Sequence, residues 1–119
     1  MEPQNPKKIL FIIRRPAEPA LLALEALDMM LTASAFDQVI TVLFLNRGIE
    51  QLRSKVDQPS RISKQLVSLN LYDIHHIYVD EHELSLQGLS VEDLTLTVKA
   101  LNKDELRLLV NSQDHIINA

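Results

Sequence analysis

The chain contains no cysteine. That absence removes disulfides, thiolate metal sites, persulfide carriage and cysteine nucleophiles together, because each needs a thiolate. Only 2 glycines and 5 prolines occur among 119 residues, which leaves little room for long loops. Neither glycine belongs to a Gly-rich cluster, so a phosphate-cradling loop is excluded. Aromatic residues make up 4%, too few for base-stacking platforms, and the net charge of −4 does not suit a free-standing nucleic-acid binder. Long hydrophobic runs are also missing. After the polar start Met-Glu-Pro-Gln-Asn-Pro-Lys-Lys, the apolar run spans only Ile9 to Ile13, and a signal peptide or membrane span needs more. The protein is therefore read as cytoplasmic, with no membrane contact.

What is present describes an ordinary globular chain. Hydrophobic residues make up 46% and charged residues 24%. The length predicts one domain over 1–119, with 1–7 as a flexible lead-in. Charge is unevenly spread: residues 1–64 hold 9 Lys/Arg against 7 Asp/Glu, and residues 65–119 hold 3 against 9. A mildly basic half and an acidic half suggest oriented docking with partners.

Two continuous apolar runs, Lys8 to Ile13 and Val39 to Leu45, predict strands buried on both faces. Between them, Pro19 to about Ala35 carries Leu, Ala and Met at almost every position, with Glu25, Asp28 and Thr32 marking one narrow polar edge. This is a helix buried over most of its circumference, wider in contact than one sheet face requires. Asn46-Arg47-Gly48 breaks the second strand, and a short helix is expected from Ile49 to Ser54. Ser60 is the expected N-cap of a helix carrying Ile62, Leu66 and Leu69. Ile74 to Val79 reads as the third strand, and Asp80 to Gly88 as a helical turn stopped by Gly88. Leu94 to Val98 alternates weakly and is expected as a fourth strand near the edge. Asn102 and Glu105 make a capping box for a helix with Leu106, Leu109 and Val110 on one stripe. Asp114 to Asn118 is the fifth strand. Strands alternating with helical segments predict an α/β fold, a single-domain three-layer α/β/α sandwich with a five-stranded, mainly parallel sheet.

No residue pattern announces an active site. His75 and His76 are neighbours on a strand and point to opposite faces, so they do not share a metal; polar residues at a strand end are the favoured reading, and His115 is expected to be packed or hydrogen-bonded. Asp80 ends a strand as a phosphoacceptor would, but Arg14-Arg15 stand where acidic residues would have to hold Mg²⁺. Arg14, Arg15 and Arg47 could bind an anion; a solvated rim or a salt bridge to a partner is favoured. No serine sits in a nucleophile elbow.

Glu25 to Phe36, followed by Val42-Leu43-Phe44-Leu45-Asn46-Arg47-Gly48-Ile49-Glu50-Gln51-Leu52, resembles the DsrE/DsrF-like family, most closely its TusC (DsrF) branch. Leu71-Tyr72-Asp73-Ile74 leading into Tyr78-Val79, then Leu84 and Gly88-Leu89, looks like the same branch, as does Leu106 through Asp114-His115-Ile116-Ile117. The likeness covers nearly the whole chain in order. Two positions depart from the pattern: Arg47 stands where the branch usually has an acidic residue with an apolar one at Glu50, and Asp80 stands where many members carry a cysteine.

The resemblance implies a non-catalytic subunit of a TusBCD-type complex, a heterohexamer with TusB-like and TusD-like chains. That complex takes persulfide sulfur from a TusA-like protein and passes it to a TusE-like one, toward 2-thiolation of the wobble uridine in tRNA. Its counterpart in sulfur oxidation is DsrEFH. No cofactor, metal or direct nucleic-acid contact is expected. A stand-alone small-molecule-binding domain is the competing class. Two stretches are expected to meet partners: the long helix through Leu21, Leu24 and Met30, and a surface built from Asn46, Arg47, Gly48 and Ile49 with Tyr72, Asp80 and Leu84. Ile49 and Tyr72 are the expected apolar anchors.

Overall fold

The structure is a computed structural model that describes residues 6–36, 38–53 and 61–119, with Arg61 described by its backbone alone. Five strands form one sheet: β1 (Lys8–Ile13), β2 (Val39–Phe44), β3 (His76–Asp80), β4 (Lys99–Leu101) and β5 (His115–Asn118). Their order is β4-β3-β2-β1-β5, and each neighbouring pair runs parallel. The expected α/β sandwich is the observed one. β1 and β2 lie in the middle, as their uninterrupted apolar runs require, since both faces of a central parallel strand are covered.

Alternation along the strands divides the core in two. Phe11, Ile13, Val42, Phe44, Ile77 and Val79 point to one face, where they pack with α1 (Ala20–Ser34), α2 (Arg61–Ser68) and α3 (Glu81–Leu86). Leu10, Ile12 and Leu43 point to the other, which is covered by α4 (Lys103–Asn111) through Leu106, Leu109 and Val110. The two layers are unequal: α4 has no fully buried residue, whereas α1 buries Ala23, Ala26, Leu27 and Met30.

The ends of the helices follow their chemistry. At α4 the predicted capping box is complete, with Asn102 Oδ1 accepting from the Glu105 N–H at 2.9 Å and Glu105 Oε1 from the Asn102 N–H at 3.0 Å. Gly88 stops α3 with φ of 70°, and Leu89 N–H donates to Leu84 O while Gly88 N–H donates to Ser85 O. This is the Schellman arrangement, in which a residue without Cβ takes the left-handed position. A second box went unread in the sequence: Ser90 donates from its N–H and its hydroxyl to Asp93 ahead of the short 3₁₀ helix Val91–Asp93. Those bonds hold the Asp93 carboxyl below its ordinary range.

Three expectations change. The fourth strand is Lys99–Leu101, and Leu94 to Val98 is an irregular segment. Its alternation is real, with Leu94 and Leu96 buried, but Thr95 donates from both its N–H and its hydroxyl to Leu52 O. Leu94 also bridges Arg53 in the antiparallel sense, so the segment is tied to the turn after β2 instead of to β3. Period-2 burial thus records a covered loop as readily as a ladder. The expected helix from Ile49 is a 3₁₀ helix starting earlier, Asn46–Leu52. His115 is exposed on the edge strand β5, not packed. The expected Ser60 cap and the end of the short helix at Ser54 lie outside the described residues.

Candidate partner surface

In a parallel sheet the loops after each strand gather at the carboxyl ends, where α/β proteins place their sites. Here that rim carries Arg14 and Arg15 after β1, the 3₁₀ helix after β2, and α3 after β3. Asn46 turns the chain with φ of 50°, a left-handed conformation that asparagine tolerates. Gly48 then passes so near β1 that a Cβ on it would lie 2.0 Å from Ile13 O and 2.8 Å from Ile13 C. Only a hydrogen fits. The Leu45 N–H also donates to Ile13 O, so the turn is clamped to the end of β1. Past Gly48 the chain points inward: Ile49, Gln51 and Leu52 are buried, and Gln51 Nε2 donates to Arg15 O at 2.9 Å.

Most polar groups of this rim are engaged within the chain. Arg47 Nε pairs with Glu50 Oε2 at 3.0 Å, three residues on, and not with the acidic residues after β3. Arg14 donates to Asn118 Oδ1. Asp80 is the N-cap of α3, its Oδ1 accepting from the His82 N–H at 3.0 Å. Gln87 Nε2 donates to both Asn46 O and Glu83 Oε1, tying the end of α3 to the turn after β2. Arg15 is exposed, and its carbonyl is occupied by Gln51.

The structure separates the residues expected to meet partners. Asn46, Arg47, Gly48, Ile49, Asp80 and Leu84 do gather at the carboxyl-end rim, joined by the Gln87 bonds. Tyr72 does not join them: it precedes β3, in the 3₁₀ helix Leu69–Tyr72, at the amino ends of the strands. Ile49 and Leu84 are in the chain's own core, as is Met30 on α1. Leu24 is half-buried against the same core. Leu21 alone of the three α1 residues faces outward, 67% exposed. Ile49 is therefore an anchor of this chain's own fold.

Sequence reasoning missed the residues that do face out. Leu22 and Met29 on α1, Phe36 just after it, Val67 on α2 and Leu71 beyond it are all exposed large hydrophobics. The signal was present: α1 is apolar over more of its circumference than one sheet face requires, with Glu25, Asp28 and Thr32 as its polar edge, and Val67 and Leu71 stand four apart on a helical face. Asp28 Oδ1 accepts from Gln65 Nε2 at 2.9 Å, which sets α1 and α2 side by side.

The histidines assemble nothing. His75 Nδ1 lies 3.2 Å from Asn70 Oδ1 and its Nε2 lies 3.7 Å from Asp73 Oδ1, a local contact at the strand's amino end. Among the described residues, no group of three His, Asp or Glu side chains could hold a metal. A cavity of about 300 Å³ opens at the amino ends too, between Ile9, Ala33, Phe36 and His115. No helix among the described residues is long and apolar enough to cross a membrane.

Comparison with known proteins agrees with this architecture and sharpens it. The chain is similar to the TusC homolog of Pseudomonas aeruginosa, 31% identical over 116 residues that cover 93% of this chain and 97% of that one. It is 30% identical to the TusC homolog of Vibrio vulnificus strain CMCP6 over 98 residues, 79% of this chain and 83% of that protein. To the intracellular sulfur oxidation protein DsrF of Allochromatium vinosum it is 35% identical over 92 residues, 74% and 68% of the two chains. Among solved structures, the ychN protein from E. coli has the same fold, with a TM-score of 0.78, 14% identity and coverage of 95% and 99%. The resemblance to the TusC (DsrF) branch is thus borne out by relatives of both names. The model of the DsrE/DsrF-like family matches residues 7–119, and the chain belongs to that family.

Proposed function

We propose that this chain is a non-catalytic structural subunit of a cytoplasmic TusBCD-type sulfur-relay complex that supports 2-thiolation of the tRNA wobble uridine. The observation that carries this reading is the near end-to-end similarity to a TusC homolog. The chemistry of the rim supports it. A persulfide relay needs a thiolate at each stop, and the sequence contains no cysteine. After β3, where many family members place a cysteine, Asp80 spends its carboxylate on capping α3. The chain's contribution is then to hold shape: a rim clamped by Gly48 and the Gln87 bonds, beside a sulfur-carrying TusD-like subunit, with TusB completing a heterohexamer. TusA-like and TusE-like proteins would meet the complex through its other chains. The similarity to a sulfur oxidation protein favours one second reading, a DsrEFH-type complex.

Co-expression with the TusB-like and TusD-like chains of the same genome tests the assembly, read by size exclusion with light scattering. Deleting the gene and measuring 2-thiouridine in tRNA by mass spectrometry separates the pathways. Loss of 2-thiouridine is expected; unchanged 2-thiouridine alongside impaired sulfur oxidation selects the second reading. The isolated chain, incubated with a radiolabelled persulfide donor and resolved without reductant, should remain unlabelled. Reductant-sensitive label on it would overturn the non-catalytic assignment.

A further inference from the structure

The sheet ends in two edges that are guarded differently. β4 (Lys99–Leu101) is only 3 residues long and opens on an exposed lysine, both devices that keep an edge strand from pairing with another chain. β5 (His115–Asn118) has no lysine, proline or glycine, and its Ile116 is 43% exposed. Hydrogen bonds fix which way the β5 backbone faces. The Val39 N–H donates to Lys7 O and the Leu45 N–H to Ile13 O, so the odd-numbered carbonyls along β1 turn toward β2. The even-numbered ones turn toward β5, where Ile12 O accepts from the Ala119 N–H. With Ile12 beside Asn118 in the register, His115, Ile117 and Ala119 address β1, while the N–H and C=O of Ile116 point away from it. Among the described residues, neither of these two groups has a hydrogen-bond partner.

This edge is complementary to itself. A two-fold axis normal to the sheet continues it with each face kept on its own side, so facing residues must share the same parity. An axis at Ile116 meets that condition. Ile116 then exchanges both backbone hydrogen bonds with Ile116 of the second copy, and the two side chains lie together, apolar on apolar. Leu10 stands beside Ile116 in the register and belongs to the core under α4, so the new pair extends that thinner layer.

Charge supports the same register. Asp114 and Asn118 flank Ile116, so the axis sets each Asp114 opposite Asn118 of the second copy. Asn118 Oδ1 accepts from Arg14, which brings a guanidinium toward each of these carboxylates. Asp114 Oδ2 accepts from the Lys8 N–H, which holds the carboxylate at the start of the strand. The charges of α4, on the same face, balance: Lys103 and Arg107 stand against Asp104 and Glu105. We infer that β5 pairs antiparallel with β5 of a second copy about a two-fold axis at Ile116, joining two five-stranded sheets into one. This contact goes beyond the sulfur-relay reading and requires no other protein.

Sedimentation of the isolated full chain between about 5 and 500 µM should show a monomer giving way to a dimer, the affinity range of a small interface. Ile116→Lys changes an exposed edge side chain and sets two lysines against each other at the axis. It should keep the wild-type circular dichroism spectrum and weaken association by about 30-fold or more. Leu86→Glu, at an exposed position on α3, should stay within about twofold of wild type. Arg14→Glu should weaken association about fivefold and make added salt strengthen it. In the wild-type chain, exchange of the Ile116 amide should slow about tenfold from the dilute to the concentrated sample. A chain that stays monomeric over this range overturns the inference, as does a dimer that a folded Ile116→Lys variant still forms. If Ile116→Lys does not fold, equal exchange of the Ile116 amide in dilute and concentrated wild type overturns it instead. Protection of that amide only on co-expression with TusB-like and TusD-like chains would give the edge to another subunit, and the inference would be wrong. None of these results touches 2-thiouridine in tRNA, which tests the relay reading separately.

Discussion

The carboxyl-end rim and the outer face of α1 and α2 look alike as sequence, since both offer apolar residues beside charges. In the structure they are opposites. At the rim the apolar residues Ile49, Leu52 and Leu84 turn inward, and the polar groups of Arg14, Arg47, Asp80 and Gln87 find partners in the same chain. On the helical face Leu21, Met29 and Leu71 turn outward and are exposed among the described residues. The difference teaches where substitutions should register as lost stability and where as lost assembly. A residue that its own fold already buries has no surface left to give a partner.

The sharpest way to break this contrast is at Ile49, which is fully buried. Ile49→Asp places an unpaired carboxylate in the core and should cost about 4 kcal/mol or more, a large part of the roughly 5–15 kcal/mol that holds a small domain together. Urea unfolding of the isolated chain reads this directly. A folded variant of near wild-type midpoint would mean that the rim is open after all.

Gly48→Ala comes next, because the new methyl would collide with the backbone of Ile13 and Arg14, not with a flexible side-chain end. Strands β1 and β2 must shift to admit it, at about 3 kcal/mol. A thermal melt lowered by several degrees is expected. Asp80→Ala removes the cap of α3 and should cost about 1 kcal/mol, with Asp80→Asn restoring most of it, since asparagine caps as well. On the opposite region, Leu21→Glu should change stability by no more than about 0.5 kcal/mol, because the side chain is already in water. A larger loss would show that α1 is covered by its own chain there.

The smallest effect concerns pH and lies outside both regions. Asp93 is held ionised by Ser90, so its folded pKa lies below the ordinary 3.8. A depressed carboxyl contributes its stability above that ordinary value, and the contribution is lost as pH falls through the folded pKa. Asp93→Asn should therefore lower stability slightly at neutral pH and leave it unchanged near pH 2, so that the acid limb below about pH 4 is flatter. Denaturant midpoints measured from pH 2 to pH 7 compare the two.

Much of the fold could be read before any coordinates. Lys8–Ile13 and Val39–Phe44 are apolar at nearly every position, and such short runs can only be strands covered twice. Asn102 with Glu105, and Gly88 with its positive φ, are local devices whose partners sit within five residues. No amount of folding adds a thiol to a chain without cysteine, so that exclusion was complete from the start. Folding alone decided the rest, because the deciding contacts join residues far apart along the chain. Gly48 reads as an ordinary turn glycine until Ile13 O is brought against it. Leu94 to Val98 reads as a strand until Leu52 O takes the hydrogen bonds of Thr95. The apolar residues of α1 are equivalent in composition, and only the direction in which the helix lies on the sheet sends Met30 into the core and its neighbour Met29 into water.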